Sequence, residues 1–375
     1  MSEFAVVFGT RPEAIKLAPV IRELVARGQP PSVINTGQHR ELLDPLLRQL
    51  GLRTTVDLDV MRASQPLSGL TARLAEGLGE ALRKLRPDAV IVQGDTTSAL
   101  CGALAAFYER IPVAHVEAGL RSGVADDPFP EELNRRLVSQ LTRWHFAPTT
   151  RAVGALRAEG FAADAIELTG NTVIDNLFWI VENGLGQSAY TMELGSVRRV
   201  LVTLHRRENQ GERMCSVARA LLRLAARGDV EIVLPLHRSP PVREVLVAAL
   251  GGRAGITLVE ALGYPDFTAT LAASDMVITD SGGVQEEAPS LGKPVLVARD
   301  TTERPEAIEA GAARLTGTSE DALYQAASAL LDDAGLYASM AEAVSPFGDG
   351  KAAARIATRL CADLAAASQP AASGR

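Results

Sequence analysis

One pattern constrains the fold more than any other. A short run of aliphatic residues gives way to a turn rich in glycine or polar residues, then to a stretch of helical periodicity, and the unit repeats. "FAVVFG" (Phe4–Gly9) leads into "EAIKLAPVIRELVAR" (Glu13–Arg27). "PSVINTG" (Pro31–Gly37) leads into "RELLDPLLRQL", a helix that Pro45 should bend or shorten. "LSGLTARLAEGLGEALRKL" is a long amphipathic helix, and "DAVIVQGD" (Asp88–Asp95), "IPVAHVEAG" (Ile111–Gly119) and "RWHFAPT" read as further strands. Apolar strands alternating with helices require a parallel sheet covered on both faces. The series then restarts with "VRRVLVTLHR" (Val197–Arg206), "VEIVLPLH" (Val230–His237), "GITLVEAL", "DMVITDSGG" and "KPVLVARD". Between the two series, around Gly170–Gly195, "ENGLGQSAYTMELG" has weak periodicity. The expectation is an α/β chain with two doubly wound, Rossmann-like domains and a cleft between them. At 375 residues the chain is long for a single core, which agrees.

Composition removes several function classes. A hydrophobic content of 47% reads as a globular chain, and no apolar run approaches the length of a membrane span. The opening "MSEFAVVFGT" lacks a basic segment and a cleavage site, so it reads as a first strand and not as a signal peptide. Cys101, Cys215 and Cys361 lie far apart, with neither metal spacing nor a pairing pattern, which points to a reducing, cytoplasmic setting. A net charge of -7 argues against nucleic acid as a partner, so any bound anion must be held by local basic residues and backbone N–H groups.

In doubly wound sheets ligands bind beyond the carboxyl ends of the strands. Polar clusters fall there throughout this chain: Gly9–Glu13, Gly37–Arg40, Gly94–Thr97, Glu117–Arg121, His205–Asn209, His237–Ser239, Asp280–Glu287 and Asp300–Glu306. In "TDSGGVQEEAPSLGKPV", Gly282 and Gly283 allow a close backbone approach, and Ser281 is placed to cap a helix whose N-terminus suits a phosphate. Glu286 and Glu287 would repel that phosphate unless they turn elsewhere. The bland alternative is a capped helix. "GTRPEAIK" sets Arg11 before a helix-starting Pro12, with Lys16 a turn further on. Asp95, Glu117, Glu131 and Glu132 supply carboxylates from separate loops, a set suited to proton transfer. Asp95 could instead be a helix N-cap, and Glu131 and Glu132 ordinary first-turn charges. "LHRREN" and "LHRSPP" present His-Arg pairs at His205–Arg206 and His237–Arg238, and "TGQHREL" adds His39 and Arg40.

The longer blocks carry a resemblance. "FGTRPEAIKLAP", "GDTTSALCGALAAFYERIPVAHVEAGLRSG", "PFPEELNRR", "TGNTVIDNL", "HRREN", "TDSGGVQEEAPSLGKPVLVARDTTERPEAIEAG" and "PFGDGKAAARI" resemble the non-hydrolysing UDP-N-acetylglucosamine 2-epimerases. The match runs from about Phe4 to about Ile356. The resemblance implies a GT-B-like fold: an N-terminal domain over residues 1–170 with the catalytic carboxylates, a UDP-binding domain over 171–355, and a segment over 356–375 that ends a helix crossing back to the first domain and runs into a tail of low complexity. It implies interconversion of UDP-GlcNAc and UDP-ManNAc, feeding cell-surface polysaccharide, by elimination of UDP to 2-acetamidoglucal and re-addition. It implies a homodimer, with no cofactor and no metal.

By resemblance, Asp95, Glu117 and Glu131 are the catalytic carboxylates and His205 supports catalysis or the diphosphate. Arg11 and Lys16 are the basic residues of the first motif, with Arg11 toward the phosphates. Ser281, Gly282 and Gly283 form the diphosphate loop, Glu287 meets the ribose and Phe267 lies beside the uracil. A second, activating substrate site would involve Gln38, Gln65, Glu131, Arg206 and His237. The chain departs from the family at Ser64, where arginine is usual, and at Gln93, where histidine is usual. The acid/base and diphosphate motifs are intact. An epimerase of a related sugar, such as a UDP-2,3-diacetamido uronic acid, shares these motifs. A nucleotide-sugar glycosyltransferase would need an acceptor site, and a binding module would need no carboxylate cluster.

Overall fold

The computed structural model describes residues 3–38, 40–62, 65–191, 195 and 197–368; His39, Ser64 and the tail 369–375 lie outside them. The chain divides into two units, Met1–Asn176 with Phe347–Arg375, and Leu177–Pro346.

The first unit is built on seven parallel strands: β1 (Phe4–Phe8), β2 (Ser32–Asn35), β3 (Val56–Asp57), β4 (Ala89–Gln93), β5 (Val113–Val116), β6 (Trp144–Ala147) and β7 (Ile166–Leu168). Their order is β3-β2-β1-β4-β5-β6-β7, so the winding reverses beside β1, which pairs with both β2 and β4. Every residue of β1 and β4 is buried, because helices cover both faces of the sheet centre. On one face Leu74, Leu78 and Leu82 of the helix Leu67–Leu85 pack with Ala5, Val7 and Val90. The helix Arg40–Gln49 runs through Pro45 and is not cut short by it.

The second unit repeats the plan with β8 (Arg198–Thr203), β9 (Val230–Pro235), β10 (Ile256–Val259), β11 (Met276–Thr279), β12 (Val295–Val297) and β13 (Ala313–Leu315). The order β10-β9-β8-β11-β12-β13 is again all parallel, with the reversal beside β8. The sequence pattern had yielded five strands in each half. The additional edge strands β3, β7 and β13 are two or three residues long, too short to show a pattern.

The breaks between units fall at 176/177 and 346/347 instead of 170 and 355. Backbone bonds decide this. The Asn171 N–H donates to the Phe347 carbonyl at 2.7 Å, and Asp175 accepts the N–H groups of Ala352 and Ala353 at 3.2 and 2.7 Å. Asp175 thereby caps the final helix, Ala352–Ser368, which stays on the first unit through Trp144 Nε1 donating to Asp363 at 2.7 Å. Among the described residues no helix is long and apolar enough to cross a membrane.

Candidate active site

In the first unit the polar residues gather at the carboxyl ends of β1, β4 and β5. Gly9 ends β1 where a Cβ would overlap the hydroxyls of Thr36 and Ser98, which bond each other at 2.8 Å. Thr10 then caps the helix Arg11–Ala26 in a capping box with Glu13. Arg11 opens that helix, half-buried. One turn on, Lys16 Nζ reaches across to Glu117 Oε1 at 2.5 Å. Glu117 follows β5 in the left-handed region, φ 64°, where a side chain other than glycine is uncommon. Three donors from three elements hold its carboxylate: Lys16, the Gln93 amide at the end of β4, and Asn171 Nδ2 at 3.1 Å. Each of the three donates to a carboxylate oxygen of Glu117.

Asp95 lies in the next turn of the sheet. It does not cap the following helix: Thr96 does, its hydroxyl accepting the Ala99 N–H at 3.0 Å. The Asp95 carboxylate is instead clamped by Arg135, through Nη2 and through Nε at 3.1 Å, while Asn134 donates to the Asp95 carbonyl at 2.9 Å. Both belong to the helix Glu131–Leu141, so the turn bearing Asp95 and the helix opened by Glu131 are fixed together. The structure separates the paired glutamates. Glu132 is fully buried and braces Ser122, Arg135 and Arg136; burial alone would raise its carboxyl, but those partners hold it below the usual range. Glu131 is half-buried at the helix start, where no side-chain partner is recorded among the described residues.

In the second unit the cluster lies at the ends of β8, β9 and β11. The helix Gly282–Ser290 starts directly after β11. Ser281 stands at the N-cap position without a side-chain cap bond, so the expected capping hydroxyl is not used. Arg206 and Arg304 flank Gly282, with guanidinium atoms 3.7 and 4.0 Å from where its Cβ would be, and Glu303 lies beside them. Glu286 is a buried partner of Arg304 and lies beyond the first turn, because the helix begins earlier than its acidic pair. Glu287, also buried, accepts the Tyr264 hydroxyl at 2.9 Å. Both carboxylates thus have protein partners. Phe267 is half-buried on the helix Tyr264–Ala273.

His205 follows β8, its Nδ1 3.1 Å from Asp280. His237, placed by resemblance in an activating site, stacks on His205 with ring centroids 5.6 Å apart; burial, then the neighbouring imidazole, lowers its pKa. Arg206, from the same expected set, pairs with Glu303 beside the Gly282 turn. In the first unit Gln38 accepts the Ser98 hydroxyl at 2.8 Å next to Gly9, and Gln65 contacts Met61. The Gln93 departure falls on Glu117 itself, within the carboxylate cluster. Asn171 and Arg135 are site residues that sequence reasoning missed, and it noted Gln93 as a departure and Asp280 and Arg304 within polar clusters without giving any of them a role. All lie inside the quoted blocks or at their edges, yet no local signal says what each touches. Among the described residues no group of three or more His, Cys, Asp or Glu is placed to hold a metal.

Two doubly wound parallel sheets, each with charged residues gathered at its carboxyl end beside the reversal of strand order, define an α/β enzyme of the GT-B-like class. The family model for UDP-N-acetylglucosamine 2-epimerase matches residues 23–361. A Bacillus subtilis relative named UDP-N-acetylglucosamine 2-epimerase is 46% identical over 356 residues, covering 94% of this chain and 93% of its own. An Escherichia coli K12 protein of the same name is 44% identical over 363 residues, covering 93% and 96%. The crystal structure of the Neisseria meningitidis UDP-GlcNAc 2-epimerase bound to UDP-GlcNAc superposes with a TM-score of 0.86 at 40% identity, covering 96% of this chain and all of that one. The chain belongs to the UDP-N-acetylglucosamine 2-epimerase family, and is an isomerase.

Proposed function

We propose that the chain interconverts UDP-GlcNAc and UDP-ManNAc without hydrolysis. The C2 proton of the sugar is only weakly acidic, so direct removal is difficult. Breaking the C1–O bond, with the electron pair leaving on the diphosphate, develops positive charge at C1. A carboxylate then takes the C2 proton and the C1–C2 double bond of 2-acetamidoglucal forms. UDP adds back to C1 while C2 receives a proton on the opposite face. Asp95, Glu117 and Glu131 serve the proton transfers. Ser281, Gly282, Gly283, Arg11 and His205 grip the diphosphate, Glu287 and Phe267 the nucleoside. Arg206, by its place beside Gly282, belongs with the diphosphate group.

One observation carries the reading: the grip on Glu117 by the donors Lys16, Gln93 and Asn171, at the strand end next to an arginine-held Asp95. A module that only bound the nucleotide would have no use for carboxylates held by cationic and amide donors at adjacent strand ends. The product would supply ManNAc units for surface polysaccharide, made in the cytoplasm by a homodimer that needs neither metal nor cofactor.

Incubation with UDP-GlcNAc in D2O, followed by NMR, tests this. UDP-ManNAc carrying deuterium at C2 is expected. Absence of exchange and of product would overturn the assignment for this sugar, and free ManNAc would indicate hydrolysis.

A further inference from the structure

Asp280 sits between β11 and the Gly282 turn with no exposed surface. We propose that Asp280 is the positioning residue for His205, fixing the imidazole so that Nε2 is the atom offered to the leaving diphosphate. The inference deepens the epimerase reading and rests on it for the identity of the anion.

Three hydrogen-bond donors converge on the Asp280 carboxylate. The backbone N–H groups of His205 and Arg206 reach it at 3.0 Å, and the Asn209 side-chain amide does so at 3.0 Å. The His205 ring lies beside them, its Nδ1 3.1 Å from Oδ1. Burial alone would push this carboxyl up; the His205 imidazole and the backbone N–H groups outweigh it and hold the group below the usual range. A carboxylate so held can only accept, so the proton between the two side chains belongs to Nδ1. Nε2 is left as the variable atom, a lone pair in the neutral ring and an N–H donor in the imidazolium.

The support around the pair is specific. Asn209 donates again to the Ala298 carbonyl at 3.0 Å, so the carboxylate is anchored to the end of β12 as well as to β8. One carboxylate therefore fixes both the backbone and the ring of His205. His237, stacked on the other side, has its own Nδ1 occupied by the Ser239 N–H at 3.1 Å and does not compete for Asp280. The remaining charged neighbour, Arg206, reaches the Asp280 carbonyl through Nε at 3.4 Å, leaving the carboxylate to the histidine. When the C1–O bond breaks, the electron pair goes to the diphosphate oxygen; the ring donates to it from Nε2 in its imidazolium form, and that proton stays on nitrogen. No covalent bond to His205 forms. An unanchored ring could rotate and turn Nε2 away from the oxyanion.

Long-range 1H–15N spectra of the full-length protein labelled with 15N-histidine test the proposal, with His205 identified by its loss in His205→Gln. The neutral ring in wild type is expected as the Nδ1–H tautomer; an Nε2–H tautomer overturns the proposal, whether or not any Asp280 variant folds. In Asp280→Asn an amide that donates to Nδ1 is incompatible with the imidazolium, so the neutral tautomer should reverse and kcat with UDP-GlcNAc should fall about a hundredfold or more. Because Asp280 acts through His205, the double variant should lose no more kcat than His205→Gln alone. Losses that multiply in the double variant would assign Asp280 a separate structural role. If the wild type shows no epimerisation at all, the epimerase reading fails while the spectra still decide the Asp280–His205 relation.

Discussion

Glu117 combines two costs that an ordinary core residue would avoid: a left-handed backbone and a nearly buried charge. Both persist because Lys16, Gln93 and Asn171 surround the carboxylate with donors. Lys16 is the only cation of the three, and removing one partner of a buried pair leaves the other uncompensated. Lys16→Met should therefore lower kcat by about two orders of magnitude, the scale of a lost acid/base function, with thermal melting measured alongside. A change in KM alone would assign Lys16 to substrate binding and not to Glu117. The residue types were legible in "GTRPEAIK" and "AHVEAGLRSG", and so was their position at strand ends. The pairing of Lys16 with a residue 101 positions away was not, because it depends on the order of strands in the sheet. The same reason hid Arg135 behind Asp95 and Arg304 behind Glu286.

At the scale of elements, the starts of two helices are joined by one side chain. Glu13 accepts the N–H groups of Gly9 and Thr10 and the Thr10 hydroxyl, and on its other oxygen the hydroxyl of Thr96, which caps the helix Thr97–Tyr108. It thus ties the turn before Arg11 to the turn that carries Asp95. Burial raises the Glu13 carboxyl from its usual 4.5 to about 7, against the pull of the Thr96 and Thr10 hydrogen bonds and the Gly9 and Thr10 N–H groups. The folded chain then binds this proton more tightly than the unfolded chain. The contribution of Glu13 to stability is fullest below about pH 4.5 and is lost as pH rises toward 7. Glu13→Gln keeps a neutral group that can donate to Thr96 Oγ1, so its melting temperature relative to wild type should rise between pH 5 and 7.5. A difference that does not change with pH would show that Glu13 is ionised throughout. Pro12 marked the first helix start in the sequence, but neither the capping box nor the second helix start that Glu13 serves was read there.

On the scale of the whole chain, the two units differ in how they are assembled. Leu177–Pro346 is continuous in sequence and has its own core, including Val200, Leu221, Ile232 and Leu246. The first unit is completed from a distance by the helix Ala352–Ser368, which brings fully buried Ile356, Ala357 and Leu360 and the Asp363 partner of Trp144. Residues 177–346 expressed alone should melt cooperatively, whereas residues 1–176 should not unless a 347–375 peptide is supplied. Circular dichroism on the three samples checks this, and a cooperative, equally stable 1–176 fragment would contradict it.

The sequence by itself determined the alternation of strand and helix, the two-fold repetition of the doubly wound plan, and the identity of the chemical groups at the strand ends. These are local properties, set by periodicity, glycine and proline placement and side-chain type. Only the tertiary structure decided the partners: Lys16, Gln93 and Asn171 on Glu117, Arg135 on Asp95, Asp280 on His205, and the last helix on the first unit. Such pairings are set by strand order, and strand order is fixed by burying apolar faces across the whole sheet, which no single stretch of the chain encodes.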